Sequence, residues 1–106
     1  MYYVYIIRCV DQSLYTGIIT NIEKRMKQHI NHIGAKYTKS HQPLKLECVW
    51  QCKDRSQASK LEYHIKKLSK IRKEQIINGQ LDILKNKLDI SIYQKTMNIT
   101  IIIVFL

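Results

Sequence analysis

Two phenols, a guanidinium, an imidazole and a carboxylate stand at spacings that local structure brings onto shared faces. Tyr5 and Tyr15 flank a turn sequence, Asp11-Gln12-Ser13. Pairing Val10 with Leu14 across that turn gives facing residues whose numbers sum to 24, so Tyr5 faces Ile19, Ile7 faces Gly17 and Cys9 faces Tyr15. Tyr5, Tyr15 and Gly17 then share one face of the ribbon, two phenols beside a residue with no side chain. Tyrosines are also common in strands for packing alone.

Arg25 and His29 are i, i+4 neighbours on a predicted helix whose apolar stripe is Ile22, Met26, Ile30 and Ile33. His29 falls in the middle of that stripe and Arg25 at its edge. A core histidine with satisfied ring nitrogens is one role for it. A phosphate site is the other, because arginine presents a planar fork that matches phosphate oxygens. Glu62 lies on the flank of a second stripe, Ala58, Leu61, Ile65 and Leu68, in a strongly basic stretch. From 55 to 74 there are seven basic residues (Arg55, Lys60, Lys66, Lys67, Lys70, Arg72, Lys73) and two acids, Glu62 and Glu74. Such a carboxylate can serve as an ion-pair partner or hold one Mg2+ or Mn2+, which take few ligands from protein. Together these groups are the parts of phosphodiester cleavage: a metal ligand, a cation for transition-state charge, and a phenol or imidazole for protons.

The elements that must position them follow from hydrophobic period and turn chemistry. Residues 2–10 and 14–19 are rich in β-branched and aromatic residues and read as a hairpin with a three-residue loop. Thr20 and Glu23 form a capping box that opens a helix over 20–33, with Gly34 at its end. Residues 35–43 are a basic, polar loop. Residues 44–52 read as a third strand with Leu46, Cys48, Trp50 and Cys52 on one face. Ser56 caps a helix running through Leu68, and a further helix covers 69–77. The predicted fold is α/β (α+β), in the order β-β-α-β-α-α. Residues 1–79 form the working domain. Residues 80–106 are a C-terminal extension of unassigned role, weakly patterned and then almost wholly apolar from Ile99 to Leu106.

Length and charge bound the function. The chain has 106 residues, room for one modest core. Eighteen Lys plus Arg against eight Asp plus Glu give a net charge of +10. A field of that sign on so small a body attracts polyanions, nucleic acid before anionic membranes or acidic proteins. Lys36, Lys39, Lys66, Lys67 and Lys70 are the expected phosphate contacts. The N-terminus lacks the layout of a signal peptide, and the eight residues from Ile99 to Leu106 are too few to cross a bilayer. Cys9, Cys48 and Cys52 are an odd set, which fits reduced thiols in the cytoplasm rather than a disulfide framework. No small-molecule cofactor motif and no membrane association are expected, and the oligomeric state is open.

An ordered set of short motifs resembles the GIY-YIG nuclease superfamily, in particular its small stand-alone bacterial members. It runs from Tyr3-Val4-Tyr5 and Tyr15-Thr16-Gly17 through Arg25 and His29, then Ala35-Lys36-Tyr37-Thr38, Leu61-Glu62 and Lys66-Lys67-Leu68, covering residues 2 to 77. The resemblance implies a small three-stranded antiparallel sheet flanked by helices, and a divalent-metal-dependent endonuclease acting on DNA in repair or processing, with RNA open as a second substrate. It implies that Tyr15 is the general base, that Tyr5 organises the attacking water and that Arg25 neutralises the scissile phosphate. His29 falls on a proton-handling position, Glu62 on the ligand to one divalent ion, and Gly17 on a structural place in the site. A phenol ordinarily ionises near pH 10, so a basic tyrosine needs positive charge beside it. The first tripeptide departs from the pattern by lacking glycine and the second by carrying Thr16, while Ile19 stands where many relatives have threonine. The alternative is a nucleic-acid-binding module of the same fold with little or no cleavage.

Overall fold

The computed structural model describes residues 2–19 and 43–96. The first strand, β1 (Tyr2–Cys9), pairs antiparallel with β2 (Leu14–Ile19) on one side and with β3 (Pro43–Cys52) on the other. A two-residue strand, β4 (Gln94–Lys95), adds to the far edge of β3, giving the order β2-β1-β3-β4. The expected sheet of three strands is therefore one of four, because the chain returns from its C-terminal part to cover an open edge. The helix expected over 20–33, the loop at 35–42 and the apolar end beyond 96 lie outside the described residues.

The hairpin register differs from the expected one by two residues: Tyr5 pairs with Gly17 and Ile7 with Tyr15. The loop is three residues long as expected but sits one residue earlier. Gln12 N–H donates to the Cys9 carbonyl, Cys9 N–H donates to the Ser13 carbonyl, both at 2.9 Å, and Gln12 takes the left-handed conformation at φ 71°. That is a type I turn closed by a bulge, with Asp11 accepting from Ser13 N–H. A shift of two residues leaves every side chain on its expected face.

In β3 the alternation breaks. Ile6 pairs with Cys48 but Ile7 pairs with Leu46, so Glu47 is an extra residue in a β-bulge. Cys48, Trp50 and Cys52 share the helix-side core, whereas Leu46 packs with Tyr5, Ile7, Ile19 and Val49 on the opposite face. The reading that put Leu46 with the other three fails for this reason.

Helix α1 (Arg55–Lys66) is capped by Asp54, which accepts from Gln57 N–H at 2.9 Å, and not by Ser56. Ala58, Leu61 and Ile65 are fully buried against Val4, Ile6 and Trp50. Each of the two larger side chains contributes about 1.5–3 kcal/mol by leaving water. Helix α2 (Lys70–Ile77) starts at Ser69, which accepts from Arg72 N–H, and ends in Gly79 at φ 94°. Gln80 N–H reaches back to the Gln75 carbonyl at 3.0 Å, completing a Schellman cap. Two short 3-10 turns follow, Leu81–Leu84 and Ile90–Ile92. Leu84 and Tyr93 enter the same core as α1, and Tyr93 donates its hydroxyl proton to the Gln57 carbonyl at 2.9 Å.

Candidate active site

Period two in β1 and β2 puts Tyr5, Tyr15 and Gly17 on the face opposite α1. Tyr5 is nearly buried, with 5% exposure, among Ile7, Ile19 and Val49, while Tyr15 is half-buried. Their rings lie 6.1 Å apart between centroids at 49°. The Tyr5 phenol crosses directly over Gly17, where a Cβ would stand 2.7 Å from its Cζ and closer still to its hydroxyl. Gly17 has no left-handed backbone, so its role is space: only the absence of a side chain lets the phenol lie flat across the strand.

Glu62 is carried by α1, whose buried stripe packs on the other face of the sheet. Its side chain is one-quarter exposed and meets Lys66 one turn on, Oε2 to Nζ at 3.4 Å. The structure thus brings Tyr5, Tyr15 and Gly17 together and places Glu62 on the flank of a helix that contacts β1 and β2. Arg25, His29, Lys36 and Lys39 lie outside the described residues. Lys66, Lys67 and Lys70 are exposed on α1, on the turn after it and on the first turn of α2.

A single, partly exposed carboxylate is a donor set for one hard cation that keeps most of its water, such as Mg2+ or Mn2+. Among the described residues no three His, Cys, Asp or Glu side chains gather as a multidentate metal site would require. Burial pushes the Cys48 and Cys52 thiols up to about 11, so both are neutral core groups rather than thiolate ligands.

The GIY-YIG catalytic domain model matches residues 1–75. The chain belongs to the GIY-YIG family. That superfamily is one of nucleases, whose members generally use divalent metal ions and act on nucleic acid. Among its relatives, a UPF0213 protein of Fusobacterium nucleatum is 46% identical over 85 residues, 80% of this chain and 85% of that protein. Another UPF0213 protein, from Desulfotalea psychrophila, is 48% identical over 79 residues, 74% of this chain and 72% of the relative. The solution NMR structure of a UPF0213 protein from Bacillus halodurans superposes with a TM-score of 0.53 at 40% identity, covering 76% of this chain and 86% of that one. The antiparallel α+β architecture and the membership in a group of small GIY-YIG proteins agree with the motif reading. No helix among the described residues is long and apolar enough to cross a membrane.

One polar cluster escaped the sequence reading. Arg8, in an otherwise apolar strand, donates to Glu47 Oε2 from Nε at 3.1 Å and Nη2 at 2.9 Å. It donates from Nη1 to Glu74 Oε2 at 2.9 Å, and Nη2 also meets the other Glu74 oxygen. The Glu47 bulge makes this three-way contact, tying β1 and β3 to α2 on the helix side of the sheet. Arg8 holds the Glu74 carboxyl below the usual carboxylate range by hydrogen bonding and charge. Arg8 and Glu47, charged residues inside two largely apolar strands, are the signal by which the sequence could have shown it.

Proposed function

We propose that this GIY-YIG protein is a divalent-metal-dependent endonuclease that hydrolyses DNA phosphodiester bonds in repair or processing. The observation that carries the reading is the phenol pair over Gly17: Tyr5 buried and fixed, Tyr15 beside it and partly open to solvent. In that arrangement Tyr15 takes the proton from the attacking water and Tyr5 fixes the water's position. Arg25 balances charge on the scissile phosphate, and His29 hands a proton to the leaving oxygen. Glu62 would hold one Mg2+ or Mn2+, which when bound supplies Lewis-acid stabilisation of the phosphate oxygens. The exposed Lys66, Lys67 and Lys70, with Lys36 and Lys39, neutralise the DNA backbone, so binding is expected to weaken steeply with salt.

The test is cleavage of single-stranded, nicked, flapped and branched DNA, and of RNA, with Mg2+, Mn2+ or chelator. Metal-dependent cleavage that Glu62→Ala abolishes, and that Tyr15→Phe lowers by roughly 100-fold or more, is the expected outcome. Salt-sensitive binding without cleavage of any substrate would reassign the protein as a nucleic-acid-binding module of the same fold.

A further inference from the structure

Helix α1 has a third line of side chains, of which the proposed function uses only Lys67. Lys60, Tyr63 and Lys67 fall at i, i+3 and i+7, on one ridge of the helix and the turn that follows it. Tyr63 leaves 53% of its surface open to solvent, and among the described residues it is the one aromatic ring so exposed, beside the aliphatic Val10, Leu44, Ile71 and Ile92. The ring nonetheless has two close neighbours. The Lys67 ammonium sits 4.4 Å from its centroid, and the His64 ring meets it edge-on at 5.1 Å and 83°. Around it the surface is positive. Lys60, Lys66, Lys67, Lys70 and Arg72 are exposed, and the two acids of this stretch are occupied, Glu62 by Lys66 and Glu74 by Arg8.

We infer that Tyr63 is a stacking platform for an unpaired DNA base next to the bond to be cut, with Lys60 and Lys67 on the flanking phosphates. The inference rests on the nuclease reading of this site and deepens it by naming the substrate class, DNA with a single-stranded nucleotide at the scissile position. An exposed ring with Lys67 against it and Lys60 one turn before it matches the succession of base and phosphate along a single strand. A paired base keeps its flat face inside the duplex and cannot use the ring. Position fits as well: Tyr63 follows Glu62 directly, about 100° round the helix. A nucleotide whose phosphate approaches Glu62 therefore has a ring within its neighbourhood and not across the molecule.

The experiment is fluorescence anisotropy of the full chain with three probes: a short single-stranded DNA, the same length of blunt duplex, and a single strand made wholly of abasic sites. Tyr63→Ala is expected to weaken binding to the single strand about tenfold and to the duplex and the abasic strand less than about twofold. Tyr63→Phe should keep binding within about twofold of the unaltered protein on all three. Because Tyr63 is half open to solvent, its thermal melt should be unchanged. An equal loss on all three probes, a loss larger on the duplex than on the single strand, or no loss on the single strand each overturns the inference. Failure of the nuclease reading is separately visible as absence of cleavage with base-dependent binding intact. If the unaltered protein binds no DNA at low salt, both fall.

Discussion

Replacing Gly17 by alanine tests how closely the phenol pair is built. The added Cβ would stand 2.7 Å from Tyr5 Cζ. Carbon atoms rest at about 3.5–4.0 Å, so the ring must retreat by roughly 1 Å. It has little room to do so, being packed among Ile7, Ile19 and Val49. Gly17 has an ordinary strand backbone, so alanine brings no conformational strain and the whole effect comes from the contact. Overpacking of this kind costs about 1–3 kcal/mol. In a domain near this size each kcal/mol lowers Tm by about 4–8 °C. A displacement of about 1 Å at a reacting group lowers turnover by roughly 100-fold. The assay is a double-mutant cycle, with thermal melts and single-turnover cleavage measured for Gly17→Ala, Tyr5→Ala and the pair. The two changes should be strongly non-additive in Tm, since Tyr5→Ala removes the atoms that clash. A Gly17→Ala protein that melts and cleaves like the parent, or additive costs in the double variant, would refute the reasoning.

Two further expectations concern stability. The Glu74 carboxyl is held below its ordinary value in the folded protein by Arg8. Its contribution is therefore complete above the unfolded-state value and is lost as pH falls through the folded one. Tm should drop on acidification below about pH 4, less steeply in Glu74→Gln, and identical acid limbs in the two proteins would count against the ion pair. Thr16, buried at 2% exposure, has a hydroxyl without a hydrogen-bond partner among the described residues. Thr16→Val keeps the shape and removes the orphaned group, so it should raise stability by about 1 kcal/mol, read as a higher Tm with unchanged circular dichroism.

The parts of the fold that were legible in the sequence are those set by a simple period. The faces of Tyr5, Tyr15 and Gly17 follow from alternation, which a two-residue register shift preserves, and the stripe of Ala58, Leu61 and Ile65 follows from the helical repeat. The register itself was not legible, because Gln12 rather than Ser13 takes the left-handed turn position, and both are polar residues suited to a loop. The bulge at Glu47 was hidden for another reason: its driving contacts, Arg8 and Glu74, are distant in sequence. The helix cap moved from Ser56 to Asp54 because both can accept the same kind of bond and only the strand's end decides between them. For the site, residue types and order carried the family. The crossing of Tyr5 over Gly17, by contrast, is a matter of ångströms that no spacing rule contains.

Trp50, the single tryptophan of the chain, has a further consequence. It sits 2% exposed where β3 meets β4, paired with Val4 on one side and with Lys95 on the other. Tyr93, two residues before Lys95, is in the same core cluster. The protein therefore carries an intrinsic optical reporter at the seam between its family domain and the segment that returns to the sheet. Undocking of β4 alone would shift Trp50 emission to longer wavelength while leaving the hairpin and α1 intact. Titration with denaturant, followed by fluorescence and by far-ultraviolet circular dichroism, would then distinguish a strap that opens on its own from one that melts with the rest.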